Sequence, residues 1–231
     1  MSSIIVACQT IEDEVTMALS ETNVKYPVVW IESGLHNYPD TLRDKLQERI
    51  NKISNVENII LAFGYCGNSL LGVKSETAKL IIPKVDDCIS LLLGSCQARQ
   101  DLNQGVGTYF LTRGWIEHEN NIIKEYERCV DKYGEDKANR VFKMMLEHYK
   151  CLVLIDTGAY CVNDYIDHCH CFAKLFHLDH KIINGSIYYL KRLFTGPWND
   201  DFIILQPGEP VSLDYFRNIV SSDMQFSQLK A

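Results

Sequence analysis

The chain has no uninterrupted apolar run near the ~20 residues that a membrane-crossing helix needs, so a spanning protein is not expected. Positive charge is also in short supply. Thirty acidic residues against 23 Lys and Arg give a formal net charge of -7, and no basic stripe runs along the sequence. Such a balance makes a nucleic-acid backbone a poor partner. The opening residues MSSIIVACQT lack a basic segment followed by a long apolar core and a cleavage site. The expected setting is therefore the cytoplasm. There is no CxxC pair, nucleophile elbow, phosphate loop or zinc-protease helix, so the common dithiol, hydrolase and nucleotide motifs give no guide to function. Internal repeats and linkers rich in Pro and Ser are missing too, which points to a compact single or bilobal unit.

What the chain does have is length and apolar content. With 231 residues, 46% of them hydrophobic, it can bury a sizeable core without disulfides. Nine cysteines are many for such a chain. In a reducing compartment they are expected to be thiols or metal ligands.

Short β-branched runs alternate with helical patterns, the signature of an α/β fold: a mostly parallel sheet flanked by helices. Strands are expected at Ile4–Ala7, Val28–Ile31, Asn58–Phe63, Leu80–Ile82 and Thr108–Leu111. Between them, Leu42, Leu46 and Ile50 recur at i, i+4, i+8 and predict a helix capped by Asp40 or Thr41. The segment DDCISLLLGS reads as another helix, opened by acidic residues and closed near Gly94. From Trp115 to Lys150 a helical hairpin is expected, broken at Tyr133–Gly134, with Val141, Met144, Met145 and Tyr149 on its second helix. The alternation then resumes in CLVLID, KIING and DFIILQPGEPV. The organisation expected is an N-terminal α/β half (1–114), the hairpin (115–150) and a C-terminal α/β half with tail (151–231).

In a parallel sheet, loops at the carboxyl edge of the strands face one crevice. Cys8 ends the first strand, Cys66 follows the third, Cys88 follows the fourth, and His36 lies after the second. Three thiolates at one point suit zinc, or a [4Fe-4S] cluster held by three cysteines with one iron open, and the sequence does not choose. The alternative is that each cysteine is a small buried hydrophobe. Gly64 and Gly67 would let the chain turn tightly around Cys66. Asp86 and Asp87 stand before Cys88 as carboxylates near the centre or as helix caps. Thr112, in GVGTYFLTRGW, is a further candidate for contact with a substrate, although that glycine cluster, which includes Gly105, reads more simply as a turn.

The most conspicuous spelling is VNDYIDHCHCFAKLFHLDH. At ~100° per residue, adjacent letters of a helix point in different directions. Val162, Tyr165 or Ile166, Cys169, Phe172 and Phe176 form an apolar stripe, which makes Cys169 a core residue. His168 and Cys171, at i and i+3, are the pair that could share an ion, given partners from elsewhere. A helix is expected here rather than a metal centre.

In this order, ACQTIEDEV, GLHN, FGYCGNSLLG, DDCISLLLGS and GTYFLTRGW resemble a bacterial and archaeal family, domain of unknown function 1638, over about residues 3–205. The family pattern falls on Cys8, on Leu35, His36 and Asn37, on Cys66 and Gly67, and on Cys88. The resemblance implies a setting beside corrinoid-dependent methyltransferase systems of anaerobes, with a corrinoid protein or a methyltransferase as partner. The function expected is a metal- or iron–sulfur-binding protein of one-carbon metabolism, as a metal-dependent transferase or lyase if it is an enzyme. His36 would be a fourth ligand, and Asn37, Gly67, Asp86, Asp87 and Thr112 would surround the centre or the substrate. The competing expectation is a metal-free accessory protein that binds a corrinoid protein or a small ligand.

Overall fold

The computed structural model describes residues 2–103, 107–118 and 121–216. Gly105 and the end of the C-terminal tail lie outside the described residues. The chain begins β1 (Ser3–Cys8), α1 (Glu12–Thr22), β2 (Val28–Ile31), α2 (Pro39–Asn51), β3 (Asn58–Ala62) and β4 (Lys79–Pro83). Next come α3 (Cys88–Leu93), α4 (Cys96–Asn103), β5 (Gly107–Leu111), α5 (Arg113–Glu117), α6 (Ile122–Tyr133) and α7 (Glu135–Met145). It continues through β6 (Tyr149–Asp156), α8 (Asn163–Leu175), β7 (Asp179–Asn184), α9 (Tyr188–Thr195) and β8 (Phe202–Leu205). This is the expected α/β fold, with mostly parallel strands and flanking helices.

The strands form two sheets, ordered β2-β1-β3-β4-β8 and β5-β6-β7. All pairings are parallel except that of β8 with β4. Two strands part from the strand that precedes them in sequence. Phe110 of β5 pairs with Val153 of β6, while Ile204 of β8 returns to Ile81 of β4. Apolar periodicity marks a segment as a strand but says nothing about which open edge it will occupy.

The first sheet is covered on both faces, which is why its strands read as nearly continuous apolar runs. Every residue of β3 is buried. Because side chains alternate along a strand, Ile60 and Ala62 join Val15 of α1 and Leu190 and Phe194 of α9, whereas Ile59 and Leu61 join Leu42, Leu46 and Ile50 of α2. The spacing that predicts α2 is thus the face it buries. In the second sheet, Leu152 and Leu154 pack on Ile123, Phe142 and Phe172, and the opposite face meets Ile89 of α3. Its outer strand, β7, buries no residue fully.

The hairpin breaks where expected, at Gly134, whose N–H closes α6 on the Val130 carbonyl at 2.8 Å. Its second helix faces differently from the expectation. Ala138, Phe142 and then Leu146, four residues apart, are buried, while Met144 is 69% and Met145 49% exposed. Polar contacts between described residues join the two sheets and their helices. Arg113 pairs with Asp13 at 2.8 Å, the Thr157 hydroxyl donates to buried Glu14 at 2.9 Å, and the Ser186 N–H donates to the Leu92 carbonyl at 2.7 Å. Among the described residues, no helix is long and apolar enough to cross a membrane.

Candidate thiol site at the sheet edge

Strand order in the first sheet diverges between β1 and β3, since β1 leads to β2 on one side and β3 leads to β4 on the other. In open α/β sheets, the crevice beyond the carboxyl ends at such a divergence is where ligands bind. Cys8 is the last residue of β1, Cys66 lies in the loop after β3, and Cys88 is the first residue of α3 after β4. All three line one cavity of about 320 Å³. Tyr109, Phe110 and Trp115, from the second sheet and α5, supply an aromatic wall.

Local backbone pairing explains how Cys66 reaches Cys88. Beyond the strands, the Tyr65 N–H donates to the Val85 carbonyl at 3.0 Å and the Cys66 N–H to the Asp86 carbonyl at 2.7 Å. The loop after β3 therefore runs against the loop after β4. Gly64 makes this approach possible, because a Cβ there would lie 2.3 Å from the Asp87 Cα. Cys66 and Gly67 then turn through positive φ, 44° and 64°.

Burial and neighbouring thiols govern the chemistry of the cavity. Burial pushes the Cys8 thiol up to about 12, and the charge of Cys88 adds to the rise, while a 3.3 Å hydrogen bond to the Thr10 hydroxyl opposes it. Cys88 is raised well above the ordinary thiol range, first by its hydrogen bond with Cys66 and then by burial. Without a cation, Cys8 and Cys88 are neutral thiols at pH 7.

The acidic pair has a clear local role. Asp87 caps α3, its Oδ1 accepting the Ser90 N–H at 3.0 Å. Arg99 of α4 lies 2.8 Å from Asp86 and 2.7 Å from Asp87. Asp86 also accepts a hydrogen bond from the Cys96 thiol at 3.3 Å. Burial, followed by the charge of Asp86, pushes that thiol up to about 12. Asp86, Asp87 and Arg99 all line the cavity. Sequence reasoning missed Arg99 and Cys96, since no motif links α4 to the acidic pair. The one available signal was that Arg99 is the first arginine after it.

Other sequence candidates are placed differently. Gly67 and Leu35 line the cavity, but Asn37 is exposed and is not part of its lining. Thr112 is fully buried before α5, its hydroxyl lacks a hydrogen-bond partner, and it too is outside the lining. The backbone of His36 lies in the 3-10 turn Leu35–Asn37, and its side chain is outside those described. Among the described residues, no group of three or more His, Cys, Asp and Glu side chains is arranged to hold a metal ion. The softness of the donors thus suits a thiophilic metal, whereas the described side chains do not form a ready-made ligand set.

The family described as "Protein of unknown function (DUF1638)" matches residues 30–194. The chain belongs to this family. The DUF1638 match includes Cys66 and Cys88 and leaves Cys8 outside. No curated protein and no solved structure matches the chain.

Within the DUF1638 match, the HCHC run lies on α8, as its period predicts. Cys169 is fully buried with Phe172 and Ala173, whereas His168, His170 and Cys171 are exposed. His170 instead approaches His180 of β7, with ring centroids 5.8 Å apart. A wider cleft of about 730 Å³ lies along α1 and α5, where Glu12, Asp13, Arg113 and His118 line it without any cysteine.

Proposed function

We propose that the chain is a metal- or iron–sulfur-binding protein whose centre is held by Cys8, Cys66 and Cys88. The observation that carries this reading is the convergence of three sequence-distant thiols on one cavity at the strand divergence. Thiolate donors suit zinc or a [4Fe-4S] cluster. In this reading His36 is the fourth ligand or faces the open position. A bound cation would favour the thiolates that burial alone disfavours, and it would supply Lewis acidity at a substrate atom. Tyr109, Phe110 and Trp115 would form the apolar side of such a site, and Arg99 with its two aspartates the polar side.

The proposed setting is cytoplasmic one-carbon or methyl-transfer metabolism of an anaerobe, with a corrinoid protein or methyltransferase as partner and transferase or lyase chemistry. This setting extends the sequence resemblance. A second reading, a metal-free accessory protein for a corrinoid protein or small ligand, is favoured by the lack of a ready-made ligand set among the described residues.

Anaerobic purification with metal analysis separates the two readings. About one equivalent of zinc, or several of iron, lost on Cys66→Ala, supports the first. A metal-free protein whose folding and ligand binding survive Cys8→Ala, Cys66→Ala and Cys88→Ala overturns it.

A further inference from the structure

The exposed part of the HCHC run meets the edge of the second sheet. After α8 the chain turns at His177, whose φ is 58°, and runs directly into β7. His180 of β7 pairs in register with Leu152 of β6, and Leu152 packs on Phe172 of α8. Neighbours in register share a face of a sheet, so His180 faces the layer that holds α8. His170 follows buried Cys169 by one residue, a rotation of ~100° that carries it off the buried stripe. The two imidazole rings lie 5.8 Å apart between centroids and are tilted by 56°.

Two details point to a shared ligand rather than to packing alone. The Nε2 atom of half-buried His180 is shielded from solvent and has no hydrogen-bond partner among the described residues. A polar atom left in that state is costly unless something else satisfies it. The second detail is the spacing. With metal–nitrogen bonds of ~2.0–2.1 Å, two imidazoles on one tetrahedral ion place their ring centres roughly 5–6 Å apart. The observed separation falls in that range.

We propose that His170 and His180 form a two-imidazole site for a borderline divalent transition metal ion, with zinc as its representative. Imidazole nitrogen is a preferred donor for zinc, nickel and copper ions. Among the described residues, no group of three or more His, Cys, Asp and Glu side chains is arranged to hold an ion, so water fills the remaining positions and the ion stays exchangeable. Bound there, it ties α8 to β7, the outer strand in which no residue is fully buried. The site is a removable clip on the open edge of the second sheet. Neither histidine lines the cysteine cavity, so the inference stands apart from the reading of Cys8, Cys66 and Cys88.

The test uses the full chain, reduced and freed of metal under anaerobic conditions, then titrated with zinc while the imidazole signals are followed by nitrogen–proton NMR. The His170 and His180 signals should change together along one saturation curve, and amide exchange in β7 should slow as zinc is added. His170→Gln and His180→Gln should each weaken that curve by about a hundredfold, since one fixed ligand no longer presents the ion to the other. His168→Gln should leave it unchanged. A change at only one of the two histidines, a change at neither, or an unweakened curve in either single variant overturns the proposal. The wild-type titration needs no variant to fold. Alkylation of Cys66 and Cys88 in the same samples separates this site from the proposed centre. Zinc that protects those thiols while both imidazoles stay unchanged sinks the histidine clip and supports the centre, whereas joint imidazole changes without thiol protection do the reverse.

Discussion

At the carboxyl edge of the first sheet, Cys8, Cys66 and Cys88 are scattered in sequence and gathered on one cavity. On α8, His168, Cys169, His170 and Cys171 are adjacent in sequence and divided between core and surface. Backbone geometry accounts for the contrast. Parallel strands bring their carboxyl ends to one line, so residues tens of positions apart become neighbours, whereas a helix rotates each successive residue by ~100°. Proximity in sequence is therefore a poor guide to a shared ligand. The surroundings differ as well, with the first sheet buried on both faces and β7 left open at the edge of the second.

The largest expected effect tests that difference in surroundings. Leu61→Ala, at a fully buried position of β3, should destabilise the protein by about 2–5 kcal/mol, through lost transfer energy and a cavity that packed neighbours cannot fill. Ile182→Ala, at a 44% exposed position of β7, should cost about 0.5 kcal/mol or less. Chemical denaturation of both variants checks this. Equal losses would show that the edge strand is as tightly held as the central one.

Glu14 belongs to the junction between the regions. Burial raises its carboxyl from the ordinary 4.5 to about 7, against the opposing effect of the hydrogen bond from Thr157. A raised folded-state pKa means that the folded chain binds the proton more tightly, so the stabilisation is full below about pH 4.5 and is lost as pH rises through about 7. The total is on the order of 3 kcal/mol. Unfolding measured at about pH 5 and pH 8 should show wild type losing roughly 2–3 kcal/mol more than Glu14→Gln over that interval. Parallel pH profiles would mean that Glu14 is solvated and that the junction opens readily.

Much of the architecture was legible because local patterns and tertiary burial agree. The β-branched runs mark β1 to β4, the spacing of Leu42, Leu46 and Ile50 marks α2, and Gly134 breaks the hairpin. The strand-end rule was enough to bring three cysteines to one edge. Pairing was not legible in the same way: β5 and β8 have ordinary strand patterns, yet β5 leaves the sheet of β4 to open a second one with β6, and β8 returns to β4 instead of joining β7. Nor could the sequence reveal that Glu14, one of three acidic residues opening α1, is buried against a threonine 143 positions later. Arg99 went unseen because its partners are chosen by the packing of α4 and not by any spacing.

A smaller effect distinguishes the two faces of α8. Cys169→Ser puts a hydroxyl among Phe172 and its apolar neighbours and should cost about 1–3 kcal/mol. Cys171→Ser, at an exposed position, should stay within about 0.5 kcal/mol of wild type. Thermal or chemical unfolding reads the difference. A reversed ranking would place Cys171 in a buried contact and undo the contrast between α8 and the sheet edge.

The smallest expected effect concerns Asp87, where a structural role and a role near the proposed centre make different demands. As the cap of α3, its side chain needs an acceptor for the Ser90 N–H, which Asn provides and Ala does not. Asp87→Ala should therefore cost about 1 kcal/mol, while Asp87→Asn should remain close to wild type. Charge enters separately through Arg99, which keeps Asp86 as a partner in either variant. If capping is the whole role of Asp87, the stability ranking will be wild type, then Asn, then Ala, and metal content will be the same in all three. If the negative charge also supports the centre, Asn will fold as well as wild type but bind less metal, a split that loss of a helix cap cannot produce.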